Sequence, residues 1–284
     1  MTDVVPHPRR IHFDYPEHSL ERHYVQGDLV TSHIIAYLSA IFPEGEDFFV
    51  RSVRHYADQI TDKQLKEQVK GFIGQETTHS REHDALNERL RQLGYPTRFN
   101  DWFAGVGLRW DERRYSPLTC LAITAALEHF TAVSAEILLG DEDAQAMLGD
   151  TEVRKMLLWH AFEESEHRAV AFDVFRAVGG TERRRIWVMR WMTVIFFGGI
   201  ILFSALSLLR DRATYNPRRL FGSLWRLRRS PFLKRSVRRR FRQYTTVGFH
   251  PDDVDNTALL NRWRPELFGE TGQLAGNLQG GRES

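Results

Sequence analysis

Two Glu-x-x-His pairs stand out, Glu76 with His79 and Glu164 with His167. On a helix the i and i+3 side chains share a face, so both members of a pair can grip one metal ion. With 20 Glu and 12 His in 284 residues, about one such pair is expected by chance. Placement therefore has to carry the inference. Glu128 follows ten uncharged, mostly apolar residues, and the next acidic residue is Glu136. A carboxylate in that setting is buried, at a cost that only a cation or hydrogen bonds can offset. Glu46 similarly precedes Phe48, Phe49 and Val50. One Glu from each of two helices and Glu-x-x-His from two others is the arrangement of dinuclear carboxylate centres. His160, Glu164 and His167 lie at i, i+4 and i+7, within about 60° of arc, so His160 can point into the same core.

The residues thus point to a metal set of Glu46, Glu76, His79, Glu128, Glu164 and His167, with His160 and likewise His83, seven residues beyond Glu76, able to face the same core. Its expected charge is two metal ions, iron foremost and manganese or zinc as alternatives, because the donors are carboxylate oxygen and imidazole. A chain with a single cysteine, Cys120, can build neither a thiolate cluster nor an internal disulfide, and a reducing compartment suits it. His83, His129 and Glu163 are read as residues that support the ligands from behind or line the pocket. Glu44 and Asp47 compete with Glu46, and Glu166 is read as solvated or as a further support.

Period-3.6 patterning dominates and strand alternation is scarce, so the expected fold is all-α: a ferritin-like bundle with a dimetal core. The first helix runs from Asp28 to Ile60 with an interruption near Pro43. Asp62 caps a second helix that ends near Leu93, before Gly94 and Pro96. Ser116 and Pro117 open a third, which ends near Gly140. Asp150 and Thr151 open a fourth, which ends at Gly179 and Gly180. The joints at 94–115 and 140–149 read as polar and turn-rich. Residues 1–27 form an N-terminal arm, 28–180 the bundle, 181–246 an apolar helix with a basic helical tail, and 247–284 a C-terminal segment with a frayed Gly-rich end.

The net charge of +2 conceals an asymmetry. Residues 1–180 carry 19 Lys+Arg against 29 Asp+Glu, and residues 181–284 carry 20 against 8. Trp191 to Leu209 is an uncharged 19-residue run flanked by Arg190 and Arg210, long enough to span roughly 29 Å. From Arg210 to Arg242, 13 basic residues face one acid, Asp211, with Phe221, Trp225 and Phe232 interleaved. Together these imply an anionic membrane surface as partner, and not nucleic acid. With no secretory signal in view, the expected location is the cytoplasmic side of the membrane, attached by one apolar helix.

The stretches FPEGEDFFVRSVRHY (42–56), GFIGQETTHSREHDALNERL (71–90), ALEHFTA (126–132) and LLWHAFEESEHRAVAFDVF (157–175) resemble the bacterial family labelled predicted metal-dependent hydrolases, over about residues 25–260. The metal pattern is also similar to the ferritin-like N-oxygenases that oxidise arylamines. In those a seventh ligand is a histidine one turn before the last Glu-x-x-His, and His160 stands at that place, so the resemblance implies Glu46, Glu76, His79, Glu128, His160, Glu164 and His167 as the ligands. The resemblance to the N-oxygenases implies an O2-activating diiron oxidoreductase fed by an electron donor. The apolar helix turns the expected substrate from a soluble arylamine toward a small apolar or amphipathic molecule. The family label implies the alternative, a metal-dependent hydrolase on the same two-metal site. A third reading is non-enzymatic, an iron-binding bundle, and homodimerisation is compatible with all three.

Overall fold

The computed structural model describes residues 5–279 and is all-helical; no strand occurs among the described residues, only an isolated bridge between Ile11 and Leu278. Four long helices form the body: α1 (Leu29–Arg54), α2 (Lys63–Gln92), α4 (Pro117–Gly140) and α6 (Glu152–His167). Each begins on a side-chain cap that satisfies an otherwise orphaned backbone N–H: Asp28, Asp62, Ser116 and Thr151. α1 packs on α2 and α4 on α6, while contacts of α1 with α4 and of α2 with α6 close the ring.

Several expected boundaries shift, each for a local reason. α1 is continuous through Pro43 and stops at Arg54, with a short 3-10 turn at Ala57–Gln59. Proline deprives the Ser39 carbonyl of its i+4 donor. Asn87 Nδ2 supplies one at 2.9 Å, so the helix need not break. The fourth expected helix is divided at Arg168 and Ala169 into α6 and α7 (Val170–Ala177). The joint at 94–115 is in fact helix α3 (Thr97–Arg114). Its glycines and outward-facing aromatics hid it, because its apolar stripe points away from the core. The 140–149 joint contains only the short α5 (Glu142–Ala146).

The apolar run belongs to α8 (Glu182–Leu208), capped by Thr181 and lying along α1 and α4. The basic tail is not one helix: Pro217 and Pro231 divide it into α9 (Pro217–Arg228), a 3-10 turn and α10 (Arg235–Gln243). Part of its charge is spent on the acidic half of the chain. Arg226 pairs with Asp28 at 2.7 Å, Lys234 with Asp141 at 2.5 Å, and Arg240 with Glu136.

Both terminal segments are built into the core. Ile11, Phe13, Leu20, and Trp263 and Leu267 of α11 (Thr257–Phe268) join the apolar cluster around Trp159 and Phe162. The arm reaches this place by running across α2 at Gly71 and Gly74, where any Cβ would collide with Pro6 and Pro8. The Gly-rich end is packed through Leu274 and Leu278; its last residues, 280–284, lie outside the described residues.

Candidate metal centre

Inside the four-helix ring, α1 brings Glu46, α2 Glu76 and His79, α4 Glu128, and α6 His160, Glu164 and His167, all buried. Their donor atoms form overlapping groups. Glu76, Glu128, Glu164 and His167 make one; His79, His160 and Glu164 another; Glu46, Glu76 and His79 a third; and Glu46 and His160 a fourth with His83. Within them His167 Nε2 lies 3.0 Å from Glu76, 3.3 Å from Glu128 and 3.5 Å from Glu164. His160 Nε2 lies 3.0 Å from Glu164 and 3.7 Å from Glu46, and His79 Nδ1 3.7 Å from Glu164.

The hydrogen bonds behind the three histidines fix their tautomers. His79 gives its Nε2–H to Glu163 Oε2 at 3.0 Å, which leaves Nδ1 bare. Gln75 donates its amide N–H to Glu166 at 2.9 Å, so its oxygen must accept from His167 Nδ1 at 2.9 Å, which turns His167 Nε2 to the carboxylates. Asn87 donates to the Ser39 carbonyl, so its Oδ1 takes the Ser39 hydroxyl proton at 2.8 Å. Ser39 Oγ must then accept from His83 Nδ1 at 2.9 Å, and His83 Nε2 from His160 Nδ1 at 2.7 Å. His160 thereby turns Nε2 to Glu164 at 3.0 Å, so each of the three rings presents one nitrogen to the carboxylates: Nδ1 of His79 and Nε2 of His160 and His167.

The carboxylates are as exposed to one another as the rings are to them. Both oxygens of Glu46, Glu76 and Glu128, Oε2 of Glu164, Nδ1 of His79 and Nε2 of His167 are buried with no hydrogen bond. Leaving so many buried acceptors unsatisfied would cost several kcal/mol in an otherwise well-bonded protein. Metal ions would satisfy them as donors cannot, so the residues present fit the cations that they would have to hold. Burial first and then the neighbouring carboxylates push Glu46 and Glu76 well above the usual range, and Glu128 up to about 7. Burial also raises Glu164, yet the positive charge of His167 holds it well below normal; burial in turn lowers His167, but Glu128 and Glu164 raise it well above the usual imidazole range. Burial above all holds His79 and His83 well below the usual imidazole range, and so neutral. Four buried carboxylates cannot all ionise without positive charge among them.

Sequence reasoning overlooked Arg9. Entering from the N-terminal arm, its guanidinium bonds Glu163 at 3.0 Å and Glu166 at 2.7 Å, and Arg264 adds a bond to Glu166 at 2.9 Å. Glu166 is buried, which removes the solvated alternative and leaves the supporting one: it accepts from Gln75, the partner of His167, and these arginines offset its burial. No local signal marks an arginine that acts across 154 residues of chain. Glu163 and His83 lie behind the cluster, whereas His129 does not. One residue on from Glu128 is a rotation of about 100° about the helix. His129 faces the other way, bonding the Arg240 carbonyl at 3.1 Å and packing on Tyr244 and Phe249. Glu44 also stays away from the cluster, paired with Arg109 at 2.8 Å.

No curated protein and no solved structure matches the chain. Residues 7–255 match the family described as predicted metal-dependent hydrolase, a span that takes in every residue of the centre and its Arg9 support, and the chain belongs to that family.

Proposed function

We propose that Glu46, Glu76, His79, Glu128, His160, Glu164 and His167 hold two metal ions and that the protein is a metal-dependent hydrolase. The observation that carries the metal reading is the set of three imidazole rings, each pinned from behind so that one nitrogen is aimed at buried carboxylates whose oxygens mostly lack a donor. The family description supports hydrolysis. When bound, a metal pair supplies Lewis-acid activation of water and of an acyl or phosphoryl oxygen. The chain's own part is to orient the ligands through Glu163, Gln75 and the His83–Ser39–Asn87 relay. Arg9 and Arg264 neutralise the acids behind, and the closed apolar core excludes bulk water.

One observation favours a second reading, dioxygen activation at iron with an external electron donor and an apolar substrate. Every residue of the cluster is at most 4% exposed, and Glu163 and Glu166 are tied to arginine and not free to act as general base. A small apolar oxidant enters such a site more easily than a polar ester does.

The experiment separates the readings in order. Metal analysis should give about two ions per chain, falling below one in Glu128→Ala. Hydrolysis of a generic ester or phosphodiester with manganese or zinc, lost in the same variant, supports the hydrolase. Stoichiometric oxygen uptake after anaerobic Fe(II) loading, without hydrolysis, replaces it by the oxygenase. Absence of metal under every loading condition removes both.

A further inference from the structure

Outside the metal centre, the outer face of α3 and α8 is the largest feature that the fold leaves unexplained. On α3 the exposed residues Phe99, Trp102, Phe103, Val106 and Trp110 follow helical spacing along one side. On α8 the stripe runs from Trp187 through Val194, Ile195, Ile201 and Leu202 to Leu209, with Val194 and Ile201 each 72% exposed. Aromatic rings join the two stripes at both ends. Phe99 and Phe103 meet Phe203 at 6.4 and 4.9 Å, and Trp110, Tyr115 and Trp191 form a second chain with separations of 5.9 and 5.4 Å. Single exposed apolar residues are ordinary on a protein surface, but two joined stripes are not.

The opposite face of α8 is committed to the body. Phe203 stacks on Tyr37 at 5.4 Å, Phe196 stacks on Phe130 at 5.0 Å, and Ser207 bonds His33 at 2.7 Å. Its ends are tied as well. Arg185 bonds the Tyr244 and Thr246 carbonyls, and Asp211, just past the last turn, is held by Arg22 at 2.8 Å. A helix that crossed a bilayer would have to abandon these contacts or drag α1 and α4 with it, and α1 carries buried charge. Only the outer face is available to lipid.

Charge decides what covers that face. Arg98 precedes the α3 stripe and Arg113 and Arg114 follow it; Arg183 and Arg190 begin the α8 stripe and Arg210 ends it, all exposed. After Glu182, α8 contains no acidic residue. Apolar and aromatic faces bracketed by arginines suit an interface whose interior is hydrocarbon and whose rim is anionic. We propose that the joint face of α3 and α8 seats the protein in the plane of an anionic lipid bilayer, with the four-helix body on the water side.

The full chain is tested by flotation with vesicles of phosphatidylcholine alone or mixed with phosphatidylglycerol. Wild type should float with the mixed vesicles, on the order of tenfold more tightly than with the neutral ones, and should be released by high salt. Trp102→Ser combined with Trp110→Ser should weaken binding on the order of tenfold or more. If that variant fails to fold by circular dichroism, Val194→Ser with Ile201→Ser replaces it at exposed aliphatic positions. Arg98→Gln with Arg114→Gln should reduce the preference for anionic vesicles. Three results overturn the proposal. One is no flotation of wild type; another is a wild-type dimer that the tryptophan variant dissociates, which assigns the face to a second copy. The third is resistance to alkaline carbonate extraction, which would mean a crossing.

Discussion

Two His–carboxylate clusters in this molecule look alike by residue type and separation, and only one has the makings of a metal centre. Around Glu128, four carboxylates confront one nitrogen from each of three histidines, and oxygen after oxygen lacks a donor. Around Asp211, His23 and His33 bring Nε2 to 3.0 and 3.2 Å of one oxygen, which also accepts from Arg22 at 2.8 Å. The other oxygen takes the Ala213 N–H at 2.8 Å, and Arg219 stands 3.1 Å from His23. That single carboxylate is saturated and surrounded by positive charge, and a cation would find neither a free lone pair nor a favourable field. It is a clasp, fastening the end of α8 to α1 and the N-terminal arm. Proximity of ligand types is therefore a weak criterion; unsatisfied lone pairs and surplus negative charge are the strong one.

The sharpest way to break this contrast is to truncate one residue on each side. Glu128→Ala should lose metal, whereas His33→Ala should keep the wild-type metal content by elemental analysis. The metal-free Glu128→Gln protein should melt no lower than metal-free wild type, because it removes a repelling buried charge. Equal metal loss from the two truncations would abolish the distinction.

Chelation comes next in size. Wild type should lose roughly 5–15 °C of melting temperature on removal of metal, from about 3–4 kcal/mol of binding linkage in a chain of this length. The Asp211 clasp should be indifferent, and calorimetry of His23→Ala with and without chelator checks it: the chelator shift should match that of wild type.

Gln75→Ala should weaken metal binding about 10–100-fold while the protein stays folded, since it frees the His167 ring to take the wrong tautomer. A competition titration measures it, and unchanged affinity would remove Gln75 from its positioning role.

The smallest effect is the clasp's pH signature. Burial foremost lowers His33 to about 4, against 6.5 ordinarily, so below 6.5 the unfolded chain binds a proton that the folded one refuses. The stability that this contributes is present above pH 6.5 and is lost as pH falls through about 4. Asp211, with its carboxyl held low by the Ala213 N–H, His23 and Arg22 against the push of burial, adds a loss below 3.8. His33→Gln should flatten the melting temperature between pH 6.5 and 4 relative to wild type; parallel curves would reject the assignment.

The all-helical fold, the caps and the residues that the structure gathers around Glu128 were legible because each has a local cause. Helical period, a cap and a carboxylate stranded in apolar sequence are properties of a few neighbouring residues. What stayed hidden was relational. α3 was invisible because its apolar stripe serves no core, and Pro43 does not interrupt α1 because Asn87, far along the chain, supplies the missing donor. The basic tail looked like one surface until Asp28, Glu136 and Asp141 claimed part of its charge.

By itself the sequence determined that four helices carry carboxylate and imidazole donors at spacings that let them share an interior. Backbone periodicity and the cost of burying charge act within a single helix, so one strand of text suffices to read them. Tertiary structure alone decided which nitrogen of each histidine faces the carboxylates, that His129 turns away, and that Arg9 closes the cluster from behind. Those outcomes depend on partners brought from other helices and from the chain terminus, and a hydrogen bond is settled only when both ends have arrived.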